Sequence, residues 1–156
     1  MTVFNARAVE DMSQGWPAFY GSGSRSGVEV VFGNEVSRIP GWLFYTSEAE
    51  SKEHYCRVTK VTIPSSVKEI GSCAFENCYD LNNAVINGAG EIRSYAFKNT
   101  GLTTVTLPSN TTVIEYEAFN YTPISSLTSP ENVTKIGSDA FANNRNLKKV
   151  VLMRAQ

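Results

Sequence analysis

The chain has 156 residues, 42% of them hydrophobic and 19% charged, with a formal net charge of −1. That is enough apolar material for one ordinary core, which excludes a wholly disordered chain, and no run approaches the ~18 apolar residues of a bilayer helix. The near-zero charge argues against a general binder of nucleic acid or acidic membrane, because both need a positive field.

Residues 1–27 stand apart from the remainder of the chain. Val3, Phe4, Ala8 and Met12 recur at roughly helical spacing, and the Gly/Ser-rich stretch YGSGSRSG comes after them. The pattern predicts a short helix and a loop, together forming an N-terminal cap. Ala18-Phe19 has the look of an earlier repeat unit, but no strand pattern is read in front of it. The opening MTVFNARAVEDM lacks a basic stretch followed by an apolar one, so no signal peptide is read in the chain as it stands.

From residue 28 to the end the chain is periodic. Ala-Phe stands at Ala74-Phe75, Ala96-Phe97, Ala118-Phe119 and Ala140-Phe141, 22 residues apart each time. Five residues before each Phe is an isoleucine: Ile70, Ile92, Ile114 and Ile136. A fixed period in this range predicts a solenoid, in which no coil buries its apolar side chains alone and stacking like on like makes the core. An earlier coil fits the same frame from Val28, with Ile39 in the isoleucine column and Leu43-Phe44 in place of Ala-Phe. Phe44 and Phe75 are 31 residues apart, so nine extra residues form a polar loop near 47–56. Insertions of this kind map to loops on one face of a solenoid.

Each coil opens with an L-x-x-L-x-L-like pattern, as in Val58, Val61, Ile63 or Leu102, Val105, Leu107. Its last three positions alternate and predict a strand, ended by Gly33, Pro64, Pro108 or Pro130. A shorter apolar arm follows, with Val36, Val67, Ala89, Thr111 and Val133 in one inward column and the isoleucines in the next. The Ala-Phe pair then leads into a polar turn. Asn77, Asn99 and Asn143 occupy that turn, as do Cys78, Thr100, Thr122 and Asn144. They are expected to bond a bend whose backbone has no ladder partner. The expected architecture is mostly β: a short helical cap, about five coils, and a final uncapped strand, RNLKKVVL.

The outward side of the strands is the candidate binding face. One column reads Val31, Thr62, Val85, Thr106, Thr128 and Val151, and its neighbour Glu29, Lys60, Asn83, Thr104, Ser126 and Lys149. This is a flat array of β-branched and small polar side chains, which also suits any exposed sheet.

The repeat, L-x-x-L-x-L/I-P-x-x-V-x-x-I-G-x-x-A-F-x-N/C, resembles the BspA-like leucine-rich repeats of bacterial surface proteins. The coils VTIPSSVKEIGSCAFENC and SPENVTKIGSDAFANN match it best. Arg93 and Glu115 depart from the glycine column, and Thr111 departs from the valine column. The resemblance implies a non-catalytic, secreted or surface-attached module that binds proteins, in some members host matrix or plasma proteins. The alternative is a structural spacer or a self-associating fragment.

Chemistry-bearing residues are few. His54 is the only histidine, and the three cysteines, Cys56, Cys73 and Cys78, contain no C-x-x-C and cannot all pair within one chain. Small buried hydrophobes is the plain reading of the cysteines, with a disulfide from Cys56 left open. Glu115 and Glu117 lie two apart and do not form a general acid/base pair. No phosphate-binding glycine loop, metal set or cofactor motif is present, so no cofactor, no nucleic acid and no membrane insertion is expected, and the resemblance implies a protein partner. Self-association through the uncapped last coil is a further expectation.

Overall fold

The repeat phases become walls. In the computed structural model, which describes residues 2–4, 27–47 and 57–153, the chain winds as a solenoid of parallel strands. It completes four turns between the first ladder ring, Phe44, and the last, Phe141. The strands are β1 (Thr2–Phe4), β2 (Val28–Phe32), β3 (Arg38–Ile39), β4 (Val58–Ile63), β5 (Glu69–Ile70), β6 (Asn83–Ile86), β7 (Glu91–Ile92), β8 (Val113–Ile114), β9 (Ser126–Ser129), β10 (Lys135–Ile136) and β11 (Lys149–Leu152).

The first wall is the sheet β1-β2-β4-β6, continued after a gap by the pair β9-β11. The second wall is the five-stranded sheet β3-β5-β7-β8-β10, each strand only two residues long. The corner between the two walls is a tight turn in every coil that has a strand-ending Gly or Pro. Val36, Val67, Thr111 and Val133 donate their N–H to the carbonyls of Gly33, Pro64, Pro108 and Pro130 respectively.

The third wall is not a strand. Residues two before and, from Phe75 on, two after each ladder Phe have positive φ: Trp42, Cys73, Tyr95, Glu117 and Asp139 on one side, Asn77, Asn99, Tyr121 and Asn143 on the other. Alternating hands of backbone aim every second N–H the same way. Trp42, Phe44 and Thr46 thus donate to Ser72, Ala74 and Glu76, and Cys73, Phe75 and Asn77 to Ser94, Ala96 and Lys98. The same three bonds recur in the next two coils. The expectation of a bend without a ladder partner is therefore corrected. The bend carries its own coil-to-coil ladder, and the asparagines add side-chain bonds to it.

Inside, the ladder rings stack face to face. Centroids are 5.5 Å apart for Phe44–Phe75, 5.1 Å for Phe75–Phe97, 5.2 Å for Phe97–Phe119 and 5.3 Å for Phe119–Phe141, with planes within 14°. That spacing is slightly above the ~4.8 Å between hydrogen-bonded strands, so the rings follow the backbone stack. Ile39, Ile70, Ile92 and Ile114 are fully buried beside them. The glycine column reflects close approach: a Cβ on Gly71 would lie 2.3 Å from the nitrogen of Gly41.

Two further expectations change. There is no helix among the described residues, and residues 2–4, placed in the helical cap by their spacing, form β1 against the edge of β2, in register Thr2↔Val30 to Phe4↔Phe32. Three consecutive strand-forming residues next to an open parallel edge gain a ladder that an isolated helical turn lacks. The remainder of the cap, residues 5–26 with Ala18-Phe19, lies outside the described residues, as do residues 48–56 of the inserted loop. In addition, LTTVTL (102–107) is not a strand, although Leu102, Val105 and Leu107 are buried as expected. No ladder joins this stretch to β6 or to β9, and one backbone bond, from the Ser125 N–H to the Thr103 carbonyl at 3.1 Å, links it to the following coil.

Candidate functional site

The predicted strand face divides into two blocks. In the first, the registers Glu29↔Lys60↔Asn83 and Val31↔Thr62↔Val85 bring six candidates side by side on β2, β4 and β6. Glu29 and Lys60 pair across the strands at 2.7 Å, so one charge pair is internal to the face. In the second block, Ser126↔Lys149 and Thr128↔Val151 sit together on β9 and β11. Thr104 and Thr106 lie in the irregular stretch between the blocks; both are exposed, but no ladder holds them in line with either side.

A second surface, missed from the sequence, lies where the second wall meets the third. Its centre is Arg93, one of the two departures from the glycine column. Its guanidinium reaches Glu69 at 2.9 Å, Glu91 at 2.7 Å and Glu115 at 2.9 Å. Arg38 continues the chain of charges to the other oxygen of Glu69 at 2.8 Å. Glu115, the other departure, also accepts from the N–H and the hydroxyl of Ser94. Burial alone raises the carboxyl pKa of Glu69 and Glu115. Hydrogen bonds from Arg93 to both, from Arg38 to Glu69 and from Ser94 to Glu115 outweigh it, and both groups end below the usual carboxylate range. Arg38, Glu69, Arg93 and Glu115 line a groove of about 510 Å³, with Pro40, Gly41 and Ser72 also on its lining and the half-exposed indole of Trp42 at one end. Past Glu115 a second hollow of about 470 Å³ carries on along Ser94, Tyr116 and Ser138. The available signal was that column itself: two charged residues where the second and fifth coils place Gly71 and Gly137, one coil apart and of opposite sign.

Glu117, next to this groove, accepts from Tyr116, Lys98 and Asn120, and those bonds hold its carboxyl below the usual range. The hydrogen bond to Glu117 pushes the Tyr116 phenol up to about 12. Glu115 and Glu117 are thus both held ionised by separate partners, which is the opposite of a pair sharing one proton.

The closing turn is a structural ladder. Asn77 donates to the Thr46 carbonyl at 2.6 Å, Asn99 to the Asn77 side chain at 2.8 Å, and Asn143 to the Asn120 side chain at 2.9 Å. Cys78, Thr122 and Asn144 reach back to the carbonyl of the preceding coil's ladder Phe, at 3.2, 3.3 and 3.0 Å. Cys73 and Cys78 are buried and unbridged. Burial pushes the Cys73 thiol far up, so it is not a nucleophile. Cys56 and His54 lie outside the described residues. Among the described residues no group of His, Cys, Asp and Glu is arranged to hold a metal, and no helix is long and apolar enough to cross a membrane.

Stacked short parallel strands, a ring ladder and a hydrogen-bonded closing turn define a leucine-rich repeat solenoid, a class whose repeats generally serve as protein-interaction modules. A model of the BspA type leucine rich repeat region matches residues 50–155 in six copies, and the chain belongs to that family. Its fold is similar to a leucine-rich repeat protein from Bacteroides ovatus, at 28% identity and a TM-score of 0.68 over 84% of this chain and 35% of that one. It is likewise similar to the leucine rich repeat protein of T. pallidum, at 28% identity and a TM-score of 0.69 over 80% of this chain and 58% of that one. A leucine rich cell surface protein from Faecalibacterium prausnitzii is 26% identical with a TM-score of 0.51, over 81% of this chain and 39% of that one. The chain therefore spans between about a third and three fifths of these proteins' length. No curated protein matches it.

Proposed function

We propose that this chain is a non-catalytic protein-binding module of a bacterial surface or secreted protein, adhesin-like, which docks a host or partner protein on the outward face of its first wall. The observation that carries the reading is the block on β2, β4 and β6, where Lys60, Thr62, Asn83 and Val85 stand in parallel register on a rigid sheet. β-branched and short side chains lose little rotamer freedom on contact, and a rigid flat array favours a folded partner. The description of the F. prausnitzii relative as a cell surface protein supports the location. The test is surface plasmon resonance against immobilised extracellular-matrix and plasma proteins. The expected result is binding by the wild type that is lost in Thr62→Arg/Val85→Asp. An empty panel, or binding that this double change leaves intact, counts against the reading.

A second reading, self-association, is favoured by one feature. On the face of the last coil, Ile136, Val150 and Leu152 are 42%, 51% and 64% exposed, whereas the same columns are buried in the coils before, apart from the partly buried Ala84. A stacked second copy covers these side chains, and the module then acts as a spacer in an assembly.

A further inference from the structure

We propose that the groove between Trp42 and Tyr116 binds a neutral linear oligosaccharide, on a face of the solenoid separate from the protein-docking sheet. Four features point to this class of ligand. First, the Trp42 indole is 48% exposed at the groove's end and braced edge-on by Tyr45, with ring centroids 4.8 Å apart. A braced, half-exposed ring offers a flat apolar surface to the C–H face of a sugar ring. Second, the polar groups are planar and already held. Arg93 and Glu115 fix one another at 2.9 Å, and Arg38 and Glu69 do so at 2.8 Å. Guanidinium N–H groups and carboxylate lone pairs exceed the bonds these pairs use, so the groove presents ordered donors and acceptors to hydroxyls without losing rotamer freedom on binding.

Third, the charges alternate and balance in the first hollow, Arg38 and Arg93 against Glu69 and Glu115, and the second adds Lys135 beyond Glu115. A free anion meets Glu69 and Glu115, and a free cation meets Arg38 and Arg93, whereas hydroxyl groups accept from one sign and donate to the other. Fourth, most of the lining between the charged side chains is small, with Gly41 and Ser72 beside Trp42 and Ser94, Gly137 and Ser138 beside Tyr116, and Pro40 and Ile136 as the larger apolar members. Glu115 borders both hollows, so the depression runs along the coil axis from the first coil to the fifth. At ~4.8 Å per coil, that suits an extended ligand of several units better than a compact one. Apolar cofactors call for a mostly apolar pocket, which this is not.

The test is an array of neutral linear gluco-, manno-, galacto- and N-acetylglucosamine oligosaccharides, followed by calorimetry with the tetrasaccharide of any series that binds. Wild type is expected to bind at least one series. Trp42→Ala is expected to weaken it by about tenfold or more, the loss of one stacking contact. Trp42→Phe is expected to retain part of the affinity, and Thr62→Arg/Val85→Asp on the other face to leave it unchanged. Matching thermal unfolding of the variants shows that the fold is intact. Silence of the array together with no heat from the tetrasaccharides at millimolar concentration overturns the proposal. So does binding that survives Trp42→Ala, or binding confined to sulfated or sialylated glycans added as controls and abolished by salt. A protein ligand that depends on Trp42 while every glycan fails overturns it as well.

Discussion

At the scale of single residues, the solenoid repeats one packing solution and the exceptions are informative. Thr111 stands where other coils have Val36, Val67 or Ala89; it is fully buried, and its hydroxyl has no hydrogen-bond partner among the described residues. A buried hydroxyl without a partner carries its whole desolvation cost. Thr111→Val keeps the shape and removes that cost, so it is expected to stabilise the protein by about 1 kcal/mol or more. Urea unfolding followed by circular dichroism measures this, and an unchanged or lower midpoint refutes it. Phe119 is the opposite case. It is fully buried, with Phe97 stacked on one side and Phe141 on the other. Phe119→Ala removes both contacts and leaves a cavity that the rigid coils above and below cannot close, at a cost of about 3–5 kcal/mol. The same urea titration checks it, and a loss below ~1 kcal/mol contradicts the ladder as the core's spine.

At the scale of elements, the charged ladder across β3, β5 and β7 gives the second wall a pH dependence. Glu69 and Glu115 have folded pKa values below the usual carboxylate range. A depressed carboxylate contributes stability above its unfolded pKa of ~4.3 and loses it as pH falls through the folded value. The thermal midpoint is therefore expected to be flat near neutrality and to fall progressively from about pH 5 downward. Arg93→Gln removes the partner shared by both carboxylates. At neutral pH it is expected to cost only about 1 kcal/mol, because these pairs are solvent-screened. It is also expected to flatten the acid limb, since Glu69 keeps only Arg38 and Glu115 only Ser94. Scanning calorimetry of both proteins from pH 3 to 7 decides, and parallel curves refute the assignment.

Elements also show where sequence reading succeeds and where it stops. The Phe and Ile columns were legible because burial demands the same residue type at the same phase in every coil, and period 22 is a one-dimensional signal. The failure at 102–107 had a different cause: LTTVTL has strand propensity, but a strand also needs a neighbour held in ladder register, and propensity does not encode that. β1 was misread because Val3 and Phe4 fall in a helical period with later residues, while the partner that makes Thr2–Phe4 a strand lies 28 residues on. The strand-face candidates were correctly read as outward, but their division into two blocks was hidden for the same reason as the missing strand. The groove around Arg93 was hidden because its members come from four coils and from more than one column: Arg93 and Glu115 interrupt the glycine column, and Arg38 and Glu69 share the column before the isoleucines.

At the scale of the whole molecule, the solenoid has a polarity that constrains how copies associate. In the third wall each coil donates three N–H groups to the next coil, from the residues two before the ladder Phe, at it and two after. In the last coil the corresponding donors are Asp139, Phe141 and Asn143, and none of the three has a backbone acceptor among the described residues. They lie on the same face as exposed Ile136, Val150 and Leu152. Two such faces brought together around a two-fold axis set donor against donor, and Lys135 on β10 and Lys149 on β11 add like charge at the strand edges, a common guard against edge pairing. A symmetric dimer through this end is therefore disfavoured. Association requires an acceptor face, the leading side of another coil, which makes the contact heterologous and leaves it open to further addition. Sedimentation velocity over a tenfold or greater range of concentration is expected to show a continuous rise in mean mass rather than a discrete dimer. Leu152→Glu, which puts a charge among the apolar side chains of that face, is expected to hold the protein monomeric while leaving its unfolding midpoint within about 0.5 kcal/mol of wild type, as for an exposed position. A sharp dimer boundary contradicts the polarity argument, and a wild type that stays monomeric at the highest concentration removes self-association as a role for this end.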